Sequence, residues 1–334
     1  MVSLIAVLLY IQSSHADIPK NFKAKSSFNK LANINYSPTR YATETKNNKF
    51  GSEENYQPYY YELPECSLGF KTRSVVVTAF TRPYRNYLHN YGEDVHVSES
   101  IFGNAATGLL FEHHVREKMF KMLGHFNLKH PVIVDIGANI GLHALYFASL
   151  GYEVHAFEPF KKNADLISCS IAANQFHNVK FNRVGLSEED STMCMDVPDN
   201  TNHGHAVVNT NANCNNPLEF IRFDHYLTNI MKGRVPDLIK IDIEGHEYKA
   251  LITAKEIFKK KKPKLIFSEF NPLFMKEQNI DPKDYLKFLI EIGYNVYTMG
   301  LIQINLDTDL LNPALALWDI IAIDKDFDSY EIRY

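Results

Sequence analysis

The chain has 334 residues, 45% apolar and 22% charged, so it can bury one large core or two smaller ones and is neither disordered nor fibrous. Its net charge of −4 argues against a nucleic-acid partner held by phosphate contacts. The one basic cluster, Lys259 to Lys262 with Lys264, reads as the solvated C-terminal end of a helix, where cations suit the dipole.

Residues 1–16, MVSLIAVLLYIQSSHA, contain an unbroken apolar run from Leu4 to Ile11, then Ser14 and Ala16 at cleavage-like spacing. This is the pattern of a secretory leader, although no Lys or Arg precedes the run. The run is too short to cross a bilayer comfortably, so no stable membrane span is expected. The expected location is secreted or lumenal, or cytoplasmic if the leader is not used. Residues 17–62 are polar and aperiodic and predict a flexible stem. The stem holds the sequon Asn35-Tyr36-Ser37, disfavoured by Pro38, and ends in Tyr56 and Tyr59 to Tyr61, expected to dock on the core. Residues 63–130 read as an extension packed on the core. Val75–Phe80 is β-rich, and Leu110, Val115, Met119 and Met122 place a helix over Leu109–Leu123.

Strand and helix patterns alternate through the main domain, residues 131–327. Strands are predicted at Val132–Asp135, Glu153–Phe157, Val179–Val184, Leu238–Asp242, Lys264–Glu269, Asn295–Met299 and Trp318–Ile323. Helices are predicted at Asn139–Leu150, Asn163–Ala173, Tyr248–Phe258 and Pro282–Ile292. Such alternation predicts an α/β fold with a parallel sheet covered on both faces. The stretch around Pro313 offers no helix, which makes the last two strands an antiparallel pair. Residues 187–235, rich in Asn, Thr and His, interrupt the pattern, with a hairpin predicted from Met193–Val197 and Ala206–Val208. An insertion there sits over the crevice at the strand ends and reads as a cap on the acceptor side, a passive surface hairpin being the competing reading. Cys66, Cys169, Cys194 and Cys214 lack metal-like spacing and allow three pairings. The preferred one joins Cys194 and Cys214 across the hairpin.

The densest signal runs from Val132 to Pro159, VIVDIGANIGLHALYFASLGYEVHAFEP. An apolar strand ends in Asp135, a turn carries Gly137, Asn139 and Gly141, and a second strand ends in Glu158. A dinucleotide fingerprint needs glycine two and five residues after Gly137, and Asn139 and Leu142 stand there. The middle glycine lets a pyrophosphate approach the backbone, so a side chain argues against NAD or FAD. S-adenosylmethionine has no diphosphate and suits the turn. The turn amides and Asn139 can meet its amino-acid tail. Asp135 can face its ammonium or position the turn, and Glu158 can accept both ribose hydroxyls.

The second signal is Ile239 to Glu247, IKIDIEGHE, in which an apolar strand runs into Asp242, Glu244 and His246. Glu269 ends the next strand. Burying several charges is costly unless they are paired or solvated in a cleft, so clustering at strand ends suggests a site. His246 has the ordinary pKa range of a general base, with Asp242 or Glu269 to hold it or to act directly. Glu244 and, from the cap, His203 are candidate acceptor contacts. Lys240 reads as a snorkelling side chain or a partner of Glu244. Asp, Glu and His can also make an oxygen-rich divalent site, but the spacing assigns no metal. His113, His114 and His205 read as surface residues.

These blocks resemble the FkbM-type methyltransferases, a branch of the class I S-adenosylmethionine-dependent fold. The resemblance rests on VDIGANIG (Val134–Gly141), FEP (Phe157–Pro159), FDHYL (Phe223–Leu227) and LIKIDIEGHE (Leu238–Glu247), within residues 95–325. Glu112 matches a Glu common in the family ahead of the glycine motif. The resemblance implies a doubly wound, three-layer, Rossmann-like sheet of seven strands in order 3-2-1-4-5-7-6, the seventh antiparallel. It implies O-methylation of a sugar or related hydroxyl, with Gly137, Asn139, Gly141 and Glu158 toward the cofactor. His225 departs from the pattern, which usually has a second Asp beside Asp224. The expected function is therefore a methyltransferase using S-adenosylmethionine on a small-molecule or glycan acceptor. A non-catalytic binding protein on the same scaffold is the alternative, and a nicotinamide-dependent oxidoreductase is disfavoured.

Overall fold

The computed structural model describes residues 73–77, 83–90, 93–94, 96–104, 110–196, 207–209, 214, 217–306, 318–329 and 331. The leader, the stem, Cys66, His203, His205 and Pro313 lie outside the described residues.

The chain opens with the antiparallel pair β1 (Arg73–Val77) and β2 (Tyr84–Leu88), followed by α1 (Val97–Asn104) and α2 (His113–Gly124). The main sheet is built from β3 (Val132–Ile136), β4 (Glu153–Phe157), β5 (Val179–Asn182), β10 (Leu238–Ile241), β11 (Leu265–Phe270), β12 (Tyr294–Thr298) and β13 (Trp318–Asp324). Its spatial order is β5-β4-β3-β10-β11-β13-β12, with β13 antiparallel to both neighbours and the other pairings parallel. β3 follows from its sequence: all five residues of VIVDI are buried, as expected of a strand covered on both faces.

The alternation along these strands divides the core. Val134, Ile136, Ile239, Ile241 and Ile266 face α5 (Phe223–Asn229), α6 (Glu247–Ile252), α7 (Lys255–Lys260) and α9 (Pro282–Glu291). Ile133, Leu238, Leu265 and Phe267 face α2, α3 (Leu142–Ser149) and α4 (Lys161–Asn174). The N-terminal extension joins this second layer. Asn86 Nδ2 donates to the Ile140 carbonyl at 3.1 Å, and the Tyr87 N–H donates to Ser170 Oγ at 2.9 Å. β2 thereby braces the glycine turn from behind.

Several boundaries differ from the predicted ones for local reasons. α3 starts at Leu142, not Asn139, because Asn139 (φ 52°) and Gly141 (φ 88°) take left-handed conformations that no α-helix accepts. The helix predicted over Tyr248–Phe258 is two helices, α6 and α7. The third predicted strand stops at Asn182, and Gly185–Ser187 enters another sheet as β6. α8 (Pro272–Glu277) and α9 start where sequence chemistry places them. Asn271 accepts from the Leu273 and Phe274 N–H groups, Asp281 accepts from Lys283, and proline follows each.

The cap is a four-stranded sheet in the order β6-β9-β7-β8, with β7 (Ser191–Asp196), β8 (Val207–Asn209) and β9 (Leu218–Arg222). β7 and β8 pair antiparallel as the predicted hairpin, and a disulfide joins Cys194 to Cys214. No helix among the described residues is long and apolar enough to cross a membrane.

Candidate active site

A cavity of about 280 Å³ opens at the C-terminal ends of β3, β4, β10 and β11. The cap supplies its opposite wall through Leu186, Met195, Val208 and Phe220. The predicted residues Gly137, Asn139, Glu158, Asp242, Glu244, His246 and Glu269 all line it. Asp135 and Gly141 are not part of the wall.

The glycine turn is shaped by crowding. Gly137 has φ 77°, and a Cβ built there would overlap the Asp242 carbonyl. Only glycine lets β3 turn this close to β10. Gly137→Ala is therefore expected to destabilise the fold by more than about 2 kcal/mol, with the overlap adding to the left-handed penalty. Gly233→Ala is the control, because Gly233 has φ 75° but nothing within 4 Å of an added Cβ. Thermal melts of the two variants separate overlap from backbone strain, and equal losses would remove the overlap as a cause. Gly141 caps α3, with its N–H bonded to the Ala138 carbonyl at 2.8 Å. Its role is to make the turn rather than to touch a ligand.

The turn amides are not available as expected. The N–H groups of Gly137 and Ala138 donate to the Phe157 carbonyl at 3.0 and 2.9 Å. The Asn139 N–H donates to Glu158 Oε2 at 2.8 Å, and the Phe160 N–H to Oε1, also at 2.8 Å. Parallel pairing of β3 with β4 brings the turn against the next strand end and consumes these donors. What faces a ligand is the rest of Glu158 and the side chain of Asn139, whose Oδ1 is buried without a hydrogen-bond partner. Burial pushes Glu158 up to about 8 against the pull of those two backbone donors. Asp135 is buried behind the turn, and burial raises its pKa with Lys240 opposing.

Lys240 bonds to Asp242 Oδ2 at 3.2 Å and to the Gly137 carbonyl at 3.4 Å, not to Glu244 as predicted. Residues two apart on a strand share a face, and the chain turns away before Glu244. Burial disfavours the ammonium, but Asp242, Asp135 and Glu112 outweigh it and hold its pKa above the ordinary value. Beside it, Glu112 Oε2 meets His143 Nε2 at 2.9 Å. Burial opposes the Glu112 charge, yet His143, Lys240 and Arg116 bring its carboxyl down to about 2.

The IEGHE segment is a built loop. Glu244 (φ 56°) and Gly245 (φ 91°) are both left-handed, and a Cβ on Gly245 would overlap the Phe274 backbone. Glu247, fully buried, accepts from the Ile243 and Gly245 N–H groups at 2.9 and 3.3 Å and fastens the loop. This presents His246 at the start of α6 with its Nε2 3.0 Å from Ser187 Oγ. The partner is a cap hydroxyl, not Asp242 or Glu269 as expected. Asp242 is occupied by Lys240, and Ser187 reaches the site only because β6 leaves the main sheet. Burial, and then the Lys249 charge, push His246 down to about 4, with Gln278 opposing. The imidazole is neutral at ordinary pH.

Asp242, Glu244 and Glu269 each bring a carboxylate oxygen within 4.8 Å of the others. Burial, followed by neighbouring carboxylates, raises Glu244 to about 9 and holds Glu269 well above the usual range. Sequence reasoning missed His143, Ser187 and Asp319. Asp319 pairs across strands with Glu269, and burial raises it to about 7. Ser187 and Asp319 arrive through long-range pairings that no spacing rule reports, whereas His143 follows the glycine turn directly and is singled out only by its contact with Glu112. His225 and Asp224 stand off the cavity, held by Asp190 at 2.9 Å and Arg222 at 2.6 Å.

Residues 135–296 match the family model described as the methyltransferase FkbM domain. A search of curated proteins found no match. Among solved structures, a precorrin-6y C5,15-methyltransferase from Geobacter metallireducens GS-15 is similar at 13% identity and TM-score 0.33, covering 65% of this chain and 93% of that one. An rRNA methylase from Streptococcus thermophilus is similar at 11% identity and TM-score 0.35, covering 64% and 95%. A TehB-like S-adenosylmethionine-dependent methyltransferase from Corynebacterium glutamicum is similar at 11% and 0.35, covering 63% and 88%. Likenesses this loose identify neither reaction nor acceptor. The family match falls on the strands and loops that build the cavity, and residues 135–296 are an FkbM methyltransferase domain of the class I type that uses S-adenosylmethionine as methyl donor.

Proposed function

We propose that this methyltransferase modifies a hydroxyl oxygen, on a sugar or another hydroxylated small molecule, by in-line displacement with His246 as the base. One observation carries the proposal: a neutral imidazole stands in the cavity wall, among carboxylates, across from the glycine turn. S-adenosylmethionine, when bound, supplies an electrophilic methyl group on sulfur. Glu158 has lone pairs left for the ribose hydroxyls, and Asn139 Oδ1 is an acceptor suited to an ammonium. Ser187 holds His246 Nε2, so Nδ1 is the ring nitrogen assigned to take the acceptor proton. The apolar cap residues Met195, Val208 and Phe220 exclude water above it. The Cys194–Cys214 bridge supports placing the enzyme in an oxidising compartment.

The test is transfer from methyl-labelled S-adenosylmethionine to a panel of glycans, lipids and small hydroxylated acids. The expected product is a methyl ether, stable to mild alkali. Label in an alkali-labile ester or on nitrogen would overturn the hydroxyl reading and leave the methyltransferase standing.

A further inference from the structure

We infer that Asp242, Glu244 and Glu269 bind one hard divalent cation at the floor of the cavity. The geometry is that of a single ion. Oxygen ligands at about 2.0–2.6 Å from a hard cation lie at most about 4–5 Å from one another. The three carboxylates offer oxygens all within 4.8 Å. They come from two neighbouring strand ends, since Asp242 and Glu244 follow β10, and Glu269 lies in the parallel strand β11.

A second observation is independent of that spacing. Glu269 is 6% exposed, lines the cavity, and keeps Oε2 buried without a hydrogen-bond partner. A polar atom in that state calls for a partner the chain does not supply. Lys240, a buried cation nearby, is engaged by Asp242 and the Gly137 carbonyl. Cross-strand from Glu269 stands another carboxylate, Asp319. Like charges this close cannot all stay ionised without a counter-charge. A divalent cation is the counter-charge that also fills the coordination geometry. A sulfonium carries one charge and takes no ligands at this distance.

The function of the ion rests on the methyl-transfer reading. A hydroxyl bound to it loses its proton more easily, which is the step assigned to His246. The binding itself does not depend on that reading, and the test uses binding alone.

The experiment titrates chelator-stripped full chain with Mn²⁺, without cofactor or acceptor, and counts free ion by electron paramagnetic resonance. One Mn²⁺ per chain, displaced by Mg²⁺, is expected. Glu269→Gln should weaken uptake at least about tenfold, the loss that even outer-shell changes produce at metal sites. Glu244→Gln, in the half-buried loop, serves if Glu269→Gln does not fold, and circular dichroism decides which variant is read. Absence of saturable uptake by folded wild type, or undiminished uptake in the folded variants, would overturn the site. S-adenosylmethionine titration in parallel keeps the two readings apart. Cofactor binding without Mn²⁺ uptake rejects the ion and keeps the methyltransferase, whereas Mn²⁺ uptake without cofactor binding does the reverse.

Discussion

Glu158→Gln should bind S-adenosylmethionine roughly 10–100-fold more weakly than wild type. Glutamine turns one carboxyl oxygen into a donor and leaves a buried ribose hydroxyl unpaired, which costs about 1–3 kcal/mol, and each 1.4 kcal/mol is tenfold in affinity. Calorimetric titration measures it, and unchanged affinity would take Glu158 out of the cofactor site. The same variant carries a stability signature. Glu158 in the folded chain is raised to about 8 from an ordinary 4.5, because it is buried. The folded state therefore holds a proton that the unfolded state has lost between those values, so stability falls as pH rises from about 4.5 through 8. Glutamine cannot ionise and escapes that fall. The melting temperature of the variant relative to wild type should move in the variant's favour as pH rises from 6 to 9. A difference that does not change with pH would refute the shift. A residue kept at a cost to the fold is the mark of one selected for what it binds.

His246→Ala should lower kcat by roughly 10²–10⁴-fold, the usual contribution of a general base. Its affinity for the cofactor should stay within about threefold of wild type, because Glu158 and Asn139 lie on the other strand pair. Steady-state kinetics with a competent acceptor, together with cofactor titration, separates the two. Turnover within twofold of wild type would reject His246 as base. Ser187→Ala probes the positioning of the ring through the 3.0 Å contact to Nε2. It should cost less than His246→Ala and act on kcat more than on KM, since it changes the orientation of the base and not the acceptor's contacts. Loss of cofactor binding in Ser187→Ala would point to collapse of the cap instead.

Much of the architecture was legible because it is local. VIVDI and LIKI are buried at every position, and runs that are apolar but for one residue report a parallel strand wherever it sits. The helix predicted from Pro282 forms as α9, capped by Asp281, since capping depends on residues in contact along the chain. The glycine-turn side of the cavity was legible for the same reason. Gly137, Asn139 and Glu158 belong to one strand–turn–helix–strand unit, so their spacing in sequence is their spacing in space. The absence of glycine at Asn139 and Leu142 pointed away from a dinucleotide before any coordinates.

The opposite wall of the cavity is different. Asp242, Glu244 and His246 were visible as a cluster, but their partners were not. Asp242 and Glu244 meet Glu269 because β10 pairs with β11, and Asp319 arrives through the antiparallel return of β13. Ser187 reaches His246 across 59 positions because β6 leaves the main sheet for the cap. The sequence by itself determined which strands form, which turn must be glycine and which cofactor the turn admits, since these depend on neighbours a few residues apart. Only the tertiary structure decided that a serine holds the histidine and that three carboxylates converge. Those outcomes depend on which strand ends lie side by side, and no local pattern carries that information.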